Sequence, residues 1–162
     1  MAGEKKSSNK SPRERALEEL DQREETLYRA IGYFIYWFSQ LEFTIKARLA
    51  NALRLDEGMF DIVIGPYDFA MLCTVTKQTL MRTASETTKG KIKSYFNACH
   101  KLNQRARLVV AHGTWTHAGA RHVSRGTLEA MVHFAKVEEL EAYGQEARRL
   151  MMLMFVIENE EK

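Results

Sequence analysis

The chain has 162 residues, 45% hydrophobic and 28% charged, which suits one domain with a real core and makes two full domains a squeeze. Two prolines and nine glycines favour long regular elements. No stretch of about 18 uncharged apolar residues occurs, so no membrane span is expected; the best candidate, Ile31 to Leu41, ends at Glu42, and Lys46 and Arg48 follow.

Residues 1–11 are a polar, Lys-rich tail expected to be disordered, ahead of a single helical domain over 12–162. The tail lacks an apolar signal core, so a cytoplasmic protein is expected. Ser11-Pro12-Arg13-Glu14 has the residues of a helix start: a Ser cap, Pro in the first turn and Glu three positions on. Leu17, Leu20, Leu27, Ile31, Phe34, Phe38, Leu41, Ile45 and Leu49 then step by threes and fours. They predict one face of a long helix ending near Leu53, with a break or fraying around Asp21 to Glu25. Tyr33, Tyr36, Trp37 and Phe43 widen the apolar face, enough to contact both its own bundle and a second subunit.

Met59 to Ile64 is an apolar patch stopped by Gly65-Pro66, and Asp68 caps a helix through Phe69, Leu72, Cys73, Thr76 and Leu80. Ser85 to Gly90 reads as a turn. A third major helix is expected from Lys91, with Ile92, Phe96, Cys99, Asn103, Ala106 and Val110 on one face and Gly113 at its end. Thr114 to Gly126 has no helical period and reads as a loop, or as a hairpin closing with Leu128 to Phe134. Val137 to Glu158 is the last helix. The sum is an all-α protein, an antiparallel bundle of about four to five helices with a short irregular or hairpin segment after the third major helix. Cys73 and Cys99, without CxxC spacing, are expected as reduced, buried thiols.

Net charge is only +3, but it is unevenly spread. From Thr87 to Leu128 there is no Asp or Glu, while Lys89, Lys91, Lys93, Lys101, Arg105, Arg107, Arg121 and Arg125 all lie there, with His100, His112, His117 and His122. An acid-free basic block on a nearly neutral chain points to a polyanion such as RNA. The alternative is a solvated basic face balanced by neighbouring acidic helices. The histidines lack the matched Cys or carboxylate spacing of a metal site, so no metal and no cofactor is expected.

The chemistry concentrates between Asn103 and Trp115. Asn103 and Arg107 lie one helical turn apart toward the core, where an Arg needs an anionic or polar partner. An Arg with a His suits phosphodiester cleavage: the imidazole moves a proton near neutral pH and the guanidinium grips phosphate oxygens as charge develops. RNA brings its own nucleophile, the 2′-hydroxyl. On a regular helix Arg107 and His112 point about 140° apart, whereas Arg105 shares the His112 face, so the choice between the two arginines stays open. The plainer alternative has Arg107 on a carboxylate and His112 at the helix C-terminus, where a cation is favoured.

Arg107-x4-His112, followed by Gly113 and Trp115 on a late helix, resembles the R-x4–6-H signature of HEPN domains. Trp37, Leu41, Glu42 and Ile45 are similar to a Trp, Leu-Glu and Ile pattern on the first helix of several HEPN-like families, and the resemblance spans roughly residues 25–158. It implies a homodimer whose motifs line one cleft, acting as a metal-independent endoribonuclease in toxin–antitoxin systems or antiviral defence. Some such proteins pair with an antitoxin of nucleotidyltransferase type. Arg107 and His112 would be the catalytic pair, with Glu42 orienting one of them and Asn103, Arg105, Arg121 and Arg125 supporting the site or tracking RNA. Members that cut often carry a polar residue, commonly Asn, directly after the Arg; this chain has Leu108, with Asn103 one turn earlier as a substitute. A HEPN-like module that binds RNA or a partner without cutting is the second reading.

Overall fold

The computed structural model describes residues 10–159 except 117, 124, 125 and 127. Of the disorder expected over residues 1–11, the part at 1–9 falls outside the described residues, as does the site role expected of Arg125, while Ser11 is the N-cap of the first helix.

Helix α1 (Pro12–Leu53) starts as its residues dictate. The Ser11 hydroxyl accepts the Glu14 backbone N–H at 3.3 Å, and the Glu14 carboxylate takes the Ser11 N–H at 2.6 Å. The expected break at Asp21 to Glu25 does not occur, and the helix runs on unbroken. Local contacts one turn apart bridge the polar stretch: Arg29 to Glu25 at 3.0 Å and the Thr26 hydroxyl to the Gln22 carbonyl at 2.8 Å. Arg54, at φ 54°, ends the helix in a left-handed cap.

Helix α2 (Glu57–Val63) is capped by Asp56, and α3 (Phe69–Met81) by Asp68, whose carboxylate accepts the Met71 N–H at 2.8 Å. Helix α4 (Glu86–Leu102) corrects the turn expected over Ser85 to Gly90. Ser85 is the N-cap, accepting the Thr88 N–H at 3.3 Å, and Gly90 lies inside the helix. A Gly in a helix interior costs about 1 kcal/mol relative to Ala, which a Ser cap of similar worth offsets. A π turn (Asn103–Arg107), helix α5 (Leu108–His112), strands β1 (Thr114–Thr116), β2 (Gly119–Val123) and β3 (Ala130–His133), and helix α6 (Val137–Asn159) complete the chain. The fold is a helical bundle carrying a small antiparallel sheet in the order β1-β2-β3.

Phe34, Phe38, Leu41, Ile45 and Leu49 of α1 are buried together with Leu72 of α3, Phe96 of α4 and Leu150 and Met154 of α6. Each such side chain contributes about 1.5–3 kcal/mol by leaving water. Helix α6 lies against α1 in the same direction, with Gly144 on Tyr33 and the Arg148 guanidinium 5.0 Å from the Trp37 ring centre. A Cβ on Gly144 would fall 2.5 Å from the Tyr33 ring, so a side chain there would have to displace that ring. Among the described residues no helix is long and apolar enough to cross a membrane.

Register sorts the sheet into two faces: Trp115, Ala120, His122, Met131 and His133 share one, and Arg121 and Val132 project from the other. The first is anchored to the bundle. Ala120 is buried, Trp115 stacks on Phe134 at 5.9 Å, and its indole N–H reaches the Val110 carbonyl at 3.4 Å.

Candidate functional site: a cleft beside the π turn

Within the acid-free stretch the helix changes its winding. The Leu108 N–H donates to the Asn103 carbonyl, five residues back, and opens the π turn. Such turns weaken local hydrogen bonding and concentrate at functional sites. Asn103 is buried, and its side-chain oxygen has no hydrogen-bond partner among the described residues. Ala106 and Val109 hold the segment to the core, Arg107 and Leu108 are half-buried, and Arg105 is exposed.

Helix α5 is regular from Leu108 to His112, so Arg107 and His112 keep a separation of about 140° around its axis. His112 is exposed at the helix end. Gly113 follows because its neighbours leave no room for a side chain: a Cβ there would sit 2.5 Å from the Val109 carbonyl oxygen and 3.2 Å from Ala120.

The other residues picked out by sequence scatter. Glu42 forms an ion pair with Lys46 at 2.9 Å and lies close enough to Cys73 of α3 to act on its thiol, so its carboxylate is occupied on the bundle side. Arg121 is exposed, on the face of the sheet opposite His122 and His133. None of the Arg105, Arg107, His112 and Arg121 side chains has an ion-pair or hydrogen-bond partner among the described residues.

One of these residues does reach a concavity. Arg105, Val132, His133, Phe134, Glu139 and Tyr143 line a cleft of about 310 Å³ between the π turn, the edge strand β3 and the first turns of α6. His133 is half-buried, with its ring centre 6.4 Å from that of His122 and 6.1 Å from that of Phe134. Phe134 adopts φ 57°, a left-handed conformation unfavourable for a bulky side chain. Trp115 stacked on one side and Tyr143, edge-on at 5.9 Å, hold it there. Strain of this kind costs on the order of 1–3 kcal/mol and concentrates at binding and catalytic sites.

Sequence reading missed His133, Glu139 and Tyr143. His133 lies just beyond the acid-free stretch, past Glu129, and Glu139 and Tyr143 read as ordinary positions of the last helix. The signal available was strand alternation, which places His133 on the face of His122 once the hairpin pairs.

A larger groove of about 680 Å³ runs between α4 and α6, walled by Leu150, Leu153, Val156 and Ile157, and none of the sequence-predicted site residues lines it. Cys73 and Cys99 are free and fully buried. Contact with the Cys99 thiol and burial push the Cys73 thiol far above its ordinary value, and burial does the same to the Tyr95 phenol. Neither Cys73 nor Tyr95 is then an ionised nucleophile near neutral pH. Among the described residues no three His, Cys, Asp or Glu side chains gather as a metal-ligand set. No protein-family model matches the chain, and comparison with curated proteins and with solved structures finds no significant relative.

Proposed function

We propose that this protein is a HEPN-like, RNA-directed homodimer that cleaves RNA without a metal in the cytoplasm, within a toxin–antitoxin or antiviral defence system. The observation that carries the reading is the set of unpaired cations at Arg105, Arg107 and Arg121. Arginines held at a surface without carboxylates are available to phosphates, and release of the counterions they displace supplies the affinity. The apolar outer side of α1, with Tyr28 63%, Tyr36 56% and Phe43 60% exposed, supports pairing with a second copy. A nucleotidyltransferase-type antitoxin is the partner the family resemblance suggests.

The test is RNA cleavage and binding with metal chelated throughout. Wild-type protein is expected to cut single-stranded RNA and to bind it less tightly as salt rises. Arg107→Ala/Arg121→Ala is expected to lower the salt slope by about 0.7 per lost contact, with binding weakened similarly for all sequences. Salt-independent binding removes the phosphate contacts from the reading. A strictly monomeric mass at micromolar concentration removes the homodimer.

A second reading has a specific observation behind it. Leu108 follows Arg107, and the regular turn of α5 keeps Arg107 and His112 on different sides of the helix. A module that holds RNA or a partner without cutting fits this arrangement, and wild-type binding without cleavage is its signature.

A further inference from the structure

Two histidines compete for the chemistry. His112 stands exposed at the end of α5 and does not line the cleft that Arg105 reaches. His133 does line it, together with Glu139 and Tyr143, behind a strained Phe134. The cleft's volume of about 310 Å³ lies at the small end of the usual range for ligand sites, roughly 300–1,000 Å³. Arg105 forms no ion pair with Glu139 although both line it, so residues that carry a cation, a carboxylate and an imidazole line one cleft. A phosphodiester with an adjacent hydroxyl needs those three groups: a clamp on the phosphate oxygens, a proton acceptor and a proton donor.

We infer that the cleft of Arg105, His133, Glu139 and Tyr143, contained within one chain, is the reaction site for single-stranded RNA, with Glu139 and His133 as the base and acid. This rests on the ribonuclease reading alone and places the chemistry away from the Arg107–His112 pair and the shared dimer cleft that the family resemblance implies. The Glu139 carboxylate takes the proton of the ribose 2′-hydroxyl, and the 2′-oxygen bonds to the adjacent phosphorus. The bond from phosphorus to the 5′-oxygen breaks, and that oxygen takes a proton from the His133 imidazolium. Arg105 holds the two non-bridging oxygens as charge builds on them. The products are a 2′,3′-cyclic phosphate and a 5′-hydroxyl end. The proton on Glu139 returns to His133 through water once the products leave, so the cycle closes without any co-reactant. Tyr143 adds a hydroxyl donor and an aromatic wall, and His122 lies behind His133 on the same sheet face.

The experiment measures single-turnover cleavage of a short RNA by the full chain with metal chelated, for wild type, His133→Ala, Glu139→Gln, Arg105→Ala and His112→Ala. His133→Ala and Glu139→Gln are expected to lose about 10²–10⁴-fold in rate, more than His112→Ala loses. A second substrate carries sulfur in place of the leaving 5′-oxygen and needs no proton to depart. It is expected to restore cleavage by His133→Ala but not by Glu139→Gln, a split that a merely structural role would not produce. Glu139 is exposed, so its variant folds even if His133→Ala loosens the sheet. Cleavage abolished by His112→Ala but kept by both His133→Ala and Glu139→Gln overturns the assignment and leaves the ribonuclease reading standing. No cleavage by wild type overturns both.

Discussion

Charge is paired more often along the two long helices than in the stretch from the π turn to β2. Along α1 and α6 several cations meet carboxylates: Lys10, just before α1, with Glu18, Arg29 with Glu25 at 3.0 Å, Lys46 with Glu42 at 2.9 Å, and Arg149 with Glu146 at 2.7 Å, while Arg13 and Arg23 of α1 have no ion pair among the described residues. From the π turn to β2, Arg105, Arg107 and Arg121 meet none among the described residues. The backbone differs as well. The long helices keep a regular α winding, α1 ending in the left-handed Arg54, while the other region carries a π turn, an unpartnered Asn103 amide oxygen and Phe134 at positive φ. Surface pairs are worth little each, about 0–1 kcal/mol, so their presence does not explain why the helices are stable. Their absence nonetheless marks where the molecule has left charge uncommitted. The bundle carries most of the buried core, and the stretch from the π turn to β3 carries the backbone irregularities.

If that division is right, the largest stability losses come from the bundle. Phe34 is 1% exposed and packs on Phe38 with ring centres 5.6 Å apart. Phe34→Ala is expected to cost about 3–5 kcal/mol through lost transfer energy and the cavity left behind. Urea denaturation checks it, and RNA affinity of the remaining folded protein should be unchanged. A loss under about 1 kcal/mol would mean that the α1 core is not the stabilising half.

Asn103 sharpens the comparison from the other side. Its side-chain oxygen is buried without a donor, a state that costs about 1–3 kcal/mol where nothing compensates. Asn103→Leu keeps the branched shape at Cγ, in a somewhat larger side chain, and removes that cost. The variant is expected to hold stability or gain up to about 1 kcal/mol, while RNA cleavage or binding falls. Thermal melting beside the RNA assay reads both. A stability loss with RNA function intact would make the amide structural and erase the contrast.

The sequence carries the bundle and carries less of the site, for physical reasons visible at particular residues. Apolar spacing through Phe34, Phe38, Leu41, Ile45 and Leu49 is repeated often enough to identify a buried helix face. Ser11 and Asp68 announce their helices because capping is local chemistry, written within three residues. Ser85 is harder to recognise because Gly90, five positions later, imitates a turn signal that the cap overrides. The π turn leaves no mark, since one extra residue in a turn does not alter composition. The cleft joins residues from the π turn, β3 and α6 through tertiary packing, so no spacing could reveal it. Arg105 is legible as a cation in an acid-free stretch; its meeting with His133 is not.

The smallest expected effect tests how the exposed front of α1 is held. Residues 12–25 are all exposed, so this part of the helix relies on local devices: its cap, its one-turn pairs and the ion pair of Lys10 with Glu18. Ser11→Ala removes the hydroxyl acceptor and is expected to cost about 0.5–1 kcal/mol of local helix stability. The loss should appear as faster amide exchange in the first turns, with the global melting temperature nearly unchanged. Acidity offers the same test without mutation. The hydrogen bond from the Ser11 backbone N–H holds the Glu14 carboxyl below its ordinary value. A carboxyl lowered in the folded state stabilises the helix start above the ordinary glutamate range, and the gain disappears as pH falls through the lowered value. Exchange in the first turn should therefore quicken, beyond its intrinsic pH dependence, as pH drops below that range, and Glu14→Gln should abolish the dependence. If Ser11→Ala instead shifts global melting by several degrees, the front of α1 is packed against something in solution. A second copy of the chain would then be the partner to look for, and the front of α1 would belong to an interface as well as to the bundle.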